Sequence, residues 1–258
     1  MSMASQSGWV EFSDLTAVEL DYRDAFVKAQ SRLNSILARQ PRLAVHIEGK
    51  SIQGVLINAS SEKIDGPQGI LGSAGPTHIR TGNNLPVMGI MKFDSSDLAR
   101  LKEKGELEDV ILHEMFHVLG AGTLWQHRKL LINSETDNPQ YIGKSALDEY
   151  HLLKGHENEK SIPVANRGGP GTKNGHWRET TFGAELNTGF ISGDHRPLSR
   201  MSIAALADIG YEQLAIEEAD PYQLPETSGL LSIRSSMMCC STIIRPEFHI
   251  VGSSGEAP

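Results

Sequence analysis

The stretch that most constrains this chain is residues 107–120, LEDVILHEMFHVLG. His113 and His117 stand four apart, and at 3.6 residues per helical turn that spacing stacks both imidazoles on one face of a helix. Their nitrogens then converge on one point. Glu114 is turned about 100° from His113 around the axis, so it leaves the ligand direction and reaches a water held at that same point. The pattern H-E-x-x-H therefore reads as two nitrogen ligands for a metal with a carboxylate base beside it. The bland alternative is a buried amphipathic helix that carries two histidines. Val110, Ile111, Leu112, Met115, Phe116, Val118 and Leu119 make the helix apolar nearly all round, which means that it is buried. Two histidines and a glutamate buried there with no shared partner cost several kcal/mol. A metal removes that cost, and Gly120 ends the helix as a left-handed residue does.

The rest of the composition narrows the class. A chain of 258 residues holds a sizeable core and reads as a single catalytic domain over 1–258. The net charge of −8 leaves no basic face for a phosphate backbone, so nucleic acid is not an expected partner. No apolar run approaches the length of about 18 residues that a membrane span needs. The opening MSMASQSGWVEF lacks a charged segment followed by an apolar one, so no signal peptide is expected. Cys239 and Cys240 are adjacent, a poor geometry for a disulfide, and the fold is expected to stand without one. Their segment, MMCCSTII, reads as a buried apolar stretch that adds a strand or stays mobile.

In chain order, Thr16-Ala-Val-Glu19 has the form of a capping box, with Tyr22, Phe26, Ala29, Leu33 and Ile36 at helical spacing after it. Residues 43–48 (LAVHIE) and 54–59 (GVLINA) read as strands, with His46 a structural member of the first. DGPQGILGSAGP, 65–76, reads as loop from its Gly and Pro. Residues 85–93, LPVMGIMKF, are apolar on both faces and read as a strand beside the site, with Pro86 suiting a sheet edge. Asp94-Ser-Ser-Asp97 caps a short helix ending at Gly105. Beyond Gly120, 145–155 reads as a short helix, 161–177 as a glycine-rich loop ending in a histidine and a tryptophan, and 197–210 as a helix with Ser199 near its N-cap and Gly210 past its end.

Two histidines are an incomplete catalytic zinc site, which has three protein ligands and one open position. The position three residues past the helix glycine, where compact sites of this kind carry their third histidine, is Thr123. The candidates are therefore His127, His151, His156, His176 and His195, or Glu149 from a second helix. His176 is the best placed, because RGGPGTKNG before it bends sharply and Trp177 after it can anchor the turn. His195 follows a polar Gly-Asp pair, and His151 and His156 lie in or beside a polar helical segment, so solvent is the expected environment of all three.

HEMFHVLGAGTLW, GGPGTKNGHWRETTFGAELNTGF and PLSRMSIAALADIGY, in that order, resemble the leishmanolysin family of metzincin metallopeptidases, in particular its bacterial-type members without disulfide-rich extensions. IDGPQGILGSAGPT and LPVMGIMKFDSSDL match as well, and the similarity runs from about residue 16 to about residue 225. The resemblance implies an α+β, metzincin-like fold: a twisted mixed sheet and long helices in an upper lobe of about 8–120, a smaller, irregular and helical lower lobe of about 121–225, and a C-terminal extension of about 226–258. It implies Zn2+ on His113, His117 and His176, Glu114 as general base, and a cleft between the lobes beyond Gly120. It also favours a secreted protein, against which the opening residues leave a cytoplasmic one. The sequence departs from the family at one point. Asn187 stands where the family places a methionine in a tight turn beneath the zinc, and Met201, in the next helix, is no substitute. The carboxamide of Asn187 is expected to bond to nearby backbone, as Asn does in turns.

The function expected is a zinc-dependent endopeptidase acting on protein or peptide substrates, with Val87, Met88, Gly89, Ile90 and Met91 holding an extended peptide through the backbone of an edge strand. Two alternatives remain. One is a metal-binding protein of the same fold with little or no turnover, and the other is an enzyme with Glu149 as third ligand.

Overall fold

A computed structural model of the chain describes residues 8–47, 49–67, 69–169, 171–191, 195–226, 237–238 and 249–251. The architecture is mixed α+β around a twisted mixed sheet. Its first half runs β1 Val10–Phe12, α1 Arg23–Ile36, β2 Val45–Ile47, β3 Lys50–Ile52, β4 Val55–Glu62, β5 Gly72–Arg80, β6 Pro86–Asp94, α2 Leu98–Glu103 and α3 Leu107–Leu119. The second half contains β7 Leu131–Ile132, β8 Gln140–Tyr141, α4 Lys144–Lys154, β9 Ile162–Pro163, α5 Glu179–Phe182, β10 Phe190–Ile191, α6 Arg200–Ile209, β11 Met237–Met238 and β12 His249–Val251.

The main sheet has the order β1-β4-β6-β5-β12. β4 is parallel to β1 and β6, β5 is antiparallel to β6, and β12 is parallel to β5. α3 packs on β5 and β6 and against α1. The face of α1 that is buried carries Phe26, Ala29, Leu33 and Ile36, the helical spacing seen in the sequence. Phe26 meets Phe12 and Phe93 edge-on, with centroids 5.8 and 5.1 Å apart, which locks the helix onto the sheet.

Three expectations are corrected here. The capping box at Thr16 does not start the helix. The Thr16 backbone N–H and hydroxyl both donate to Asp14 Oδ1, a 3-10 turn follows at Leu20–Tyr22, and α1 begins at Arg23. The second half of the presumed loop 65–76 is the start of β5. Its small residues serve close approach rather than turning: a Cβ on Gly72 would lie 3.2 Å from Glu114 Oε1, so a larger side chain would press on α3 at the site. Finally, 86–94 is an interior strand and not an edge. Met88–Met91 pair with Leu56–Ala59 of β4 on one side, and with β5 on the other. Apolar residues on both faces are the mark of such a doubly covered strand. Pro86, which has no N–H, fits because it is the first residue of the strand, ahead of the β4 pairing that begins at Met88, and its carbonyl accepts from the buried Arg80 guanidinium. The backbone of Val87, Met88, Gly89, Ile90 and Met91 is thus committed to the sheet. On the β5 side of the sheet, the described edge is open from Gly72 to Thr77, since β12 pairs only with His78–Arg80.

After Gly120, in the left-handed conformation at φ 107°, the chain leaves the sheet layer. α6 carries Ser199 as N-cap, its hydroxyl accepting from Ser202 N at 3.2 Å, and Gly210 as left-handed C-cap. α4 packs against α6, tied by Asp208, which accepts from Ser145 N, Ala146 N and the Tyr141 hydroxyl. Trp125, Tyr141 and Trp177 form an aromatic block with centroids 4.6–5.2 Å apart. β11 pairs with β10, so the apolar C-terminal segment does add a strand at its start. Cys239 and Cys240 lie outside the described residues. No helix among the described residues is long and apolar enough to cross a membrane.

Candidate metal centre

α3 is buried on nearly every face, and His113, Glu114 and His117 are fully buried in it. His176, 59 residues beyond His117, is brought to them by the loop after β9. The approach is closed by glycine. Gly122, at φ 73°, lies so near Gly175 that a Cβ would fall 2.0 Å from the Gly175 carbonyl oxygen. No other residue allows the segment that leaves α3 to touch the segment that carries His176. The loop is held in turn by Asn174 N to Ala165 O at 3.0 Å and Ala165 N to His176 O at 2.9 Å. Trp177 anchors it in the aromatic block.

The three Nε2 atoms form a nearly equilateral triangle: His113 to His176 3.1 Å, His117 to His113 3.0 Å, His117 to His176 2.9 Å. Each opposite nitrogen faces a backbone carbonyl. His113 Nδ1 donates to Leu186 O at 2.6 Å, His117 Nδ1 to Ala121 O at 2.8 Å, and His176 Nδ1 to Thr172 O at 3.0 Å. A carbonyl only accepts, so each Nδ1 carries the proton of a neutral imidazole and each Nε2 is the bare nitrogen. The three short Nε2 contacts therefore have no proton to share and are not hydrogen bonds. They are three lone pairs aimed at a common point, with the outer nitrogens fixed as in histidine metal sites. Burial, then the neighbouring His117 and His113, hold the His176 ring well below the usual histidine range, against the opposing pull of Thr172 O, so it stays neutral. Nitrogens bound to one metal at about 2.0–2.1 Å span distances close to these. His113, His117 and His176 can hold a metal ion, and among the described residues they are the group of this kind.

The other candidates are elsewhere. Glu149 makes a two-pronged pair with Arg200 at 2.8 and 3.0 Å and is not a member of the histidine cluster. His127 is exposed. His151 Nε2 meets Glu159 O at 2.9 Å, His156 pairs with Glu159, and His195 pairs with Asp109. His46 is exposed on β2.

Asn187 sits in the turn below His113. Thr188 N donates to Glu185 O at 3.1 Å to close the turn, and Leu186 O within it is the acceptor for His113. The carboxamide is not bonded as expected: Asn187 is buried, and both Oδ1 and Nδ2 lack a hydrogen-bond partner. Its backbone N–H donates to Glu185 Oε2. Met201 is buried in α6.

Reading the sequence alone missed the polar shell of the site. Leu186, Ala121 and Thr172 act through carbonyls, which have no side-chain signature. Glu185 and Arg196 are buried, and Arg196 Nη2 donates to Leu186 O and Thr188 O at 3.0 and 2.8 Å. An isolated glutamate in the otherwise apolar FGAEL was the available signal. No protein-family model matches the chain, and no curated protein matches it.

Proposed function

We propose that the chain is a zinc-dependent endopeptidase of the leishmanolysin-like metzincin type, with His113, His117 and His176 as ligands and Glu114 as general base. The observation that carries this reading is the convergence of three oriented histidine nitrogens beside a buried glutamate on the same helix. An all-imidazole set suits zinc, and three protein ligands leave a position for chemistry. When bound, zinc supplies the Lewis acidity that acidifies water and polarises a carbonyl. Glu114 accepts the proton that the attacking water gives up and returns it to the departing amine. Gly72 gives its carboxylate room, and the open edge of β5 that begins at Gly72 is where an extended peptide adds by backbone hydrogen bonds.

The buried carboxamide of Asn187 favours a second reading, a metal-binding protein of this fold without turnover. Elemental analysis of purified protein, with cleavage of casein or gelatin before and after a chelator, separates the two. The expected outcome is one equivalent of zinc and cleavage that the chelator abolishes and added zinc restores. Bound zinc with no cleavage supports the second reading, and no bound metal overturns both.

A further inference from the structure

Glu185 is fully buried, yet four donors point at its carboxylate. Oε1 accepts from Ser199 N at 3.1 Å, Ser199 Oγ at 2.6 Å and Ser202 Oγ at 2.6 Å. Oε2 accepts from Asn187 N at 2.6 Å. Ser202 Oγ in turn accepts from the indole Nε1–H of Trp177 at 2.8 Å. One carboxylate thus joins the N-terminus of α6, the turn whose Leu186 carbonyl holds His113, and the residue that follows His176.

We propose that Glu185 is a positioning residue of the metal centre, setting the direction of the His113 and His176 rings through the Leu186 carbonyl and the Trp177 indole. The proposal rests on the three histidines being a metal centre and does not require peptidase activity. The geometry argues for it over a purely structural role. A carboxylate used only to cap α6 would be served by Ser199 and Ser202, which lie at that helix start, and the short bond to Asn187 N lies on the site side. The N-terminal end of a ten-residue helix favours a negative charge. Desolvation raises the carboxyl above its usual range, and the hydrogen bonds from Ser199, Ser202 and Asn187 oppose it. A network of this kind is stable only when every member is satisfied, and here each donor has its acceptor.

The test is Glu185→Gln in the full chain, with three readouts. In the metal-free protein the His113 Nδ1–H proton, assigned by its loss in His113→Ala, is expected to move upfield as its bond to Leu186 O lengthens. Zinc affinity, by competition with a chelator, is expected to fall about 10–100-fold, the range for hydrogen-bond partners of metal ligands. The visible spectrum of the cobalt-substituted protein is expected to shift. A lower melting temperature with all three readouts at wild-type values assigns Glu185 to fold stability alone and overturns the proposal. If Glu185→Gln does not fold, Ser202→Ala removes a single donor and leaves the Trp177 N–H without its acceptor. A smaller change in the same three readouts then supports the proposal, and no change overturns it. A wild-type protein that binds no zinc defeats the metal reading, and the His113 proton still decides whether Glu185 orients that ring.

Discussion

The backbone N–H of Asn187 donates to Glu185 Oε2 at 2.6 Å, while the carboxamide of the same residue is buried with both polar atoms unbonded. The turn is thus held by its backbone, and its side chain works against it. A buried donor or acceptor without a partner costs about 1–3 kcal/mol. Asn187→Met removes two such atoms and adds apolar surface in a floor already covered by protein. The variant is expected to unfold a few degrees higher, at about 2–4 °C per kcal/mol for a chain of this size, and to retain zinc longer against a chelator. An unchanged or lower melting temperature, zinc-loaded and metal-free, would show that the amide finds a partner in solution.

Removing a ligand should weigh more than removing a ligand's outer partner. His176→Ala takes away one of three Nε2 donors, and zinc affinity is expected to drop by more than the about 10–100-fold typical of an outer hydrogen bond. His151→Ala and His195→Ala, whose rings meet Glu159 O and Asp109, and Glu149→Ala, which breaks a pair with Arg200, should leave zinc affinity near wild type. Calorimetric zinc titration of the four variants decides it. A loss in Glu149→Ala as large as in His176→Ala would mean that the ligand set is wrong.

The three histidines of the cluster were legible for different reasons. His113 and His117 follow from helical period alone, since four residues return to one face. His176 was one of six candidates, favoured by its flexible approach and by Trp177, and the Gly122–Gly175 contact is the physical content of that flexibility. The helices α3, α4 and α6 were marked by period and by Gly120, Gly155 and Gly210. β5 was not legible, because Gly72, Gly75 and Pro76 signal a turn locally, whereas in the fold they pair with β6 and Gly72 lies against Glu114 of α3. The place of β6 in the sheet failed for a related reason: strand order depends on long-range pairing, and Pro86 carries the same local signal in an edge strand as at the first residue of an interior one. The Glu185 shell belongs to tertiary structure altogether.

Asp94, at the end of β6, is buried and gathers the loop that leads into β5. Its Oδ2 accepts from the backbone of Ile64, Asp65 and Gly66, and Oδ1 from Ser96 N. Desolvation pushes its carboxyl up, but the bonds from Ser96, Gly66 and Asp65 together outweigh it and hold the group well below the usual carboxylate range. Because the folded value lies below the unfolded one of about 3.9, the unfolded chain binds more protons between the two. The stabilisation is fully present above about pH 5 and is lost as pH falls through the folded value. Asp94→Asn is expected to cost about 1–3 kcal/mol at neutral pH, and the gap to wild type should narrow as unfolding is measured from pH 5 down to pH 3. A gap that stays constant over that range would assign the effect to packing rather than to charge.

On the proposed reading, Glu114 separates metal binding from chemistry. It follows His113 on α3, so its side chain leaves the helix in another direction from the two ligand rings, and it lies by Gly72 of β5 rather than among the three Nε2 atoms. A residue that moves a proton without ligating can be deleted with the metal in place. Glu114→Ala is therefore expected to keep its fold and its zinc and to lose about two to four orders of magnitude in the rate of peptide cleavage, the usual contribution of a general base. Glu114→Asp should recover part of the rate, since it restores the carboxylate one methylene short. Zinc content by elemental analysis, circular dichroism and turnover of one peptide under saturating conditions test the three statements separately. A Glu114→Ala protein that purifies without zinc would make the residue a ligand instead of a base. One that cleaves at the wild-type rate would remove proton transfer from its role.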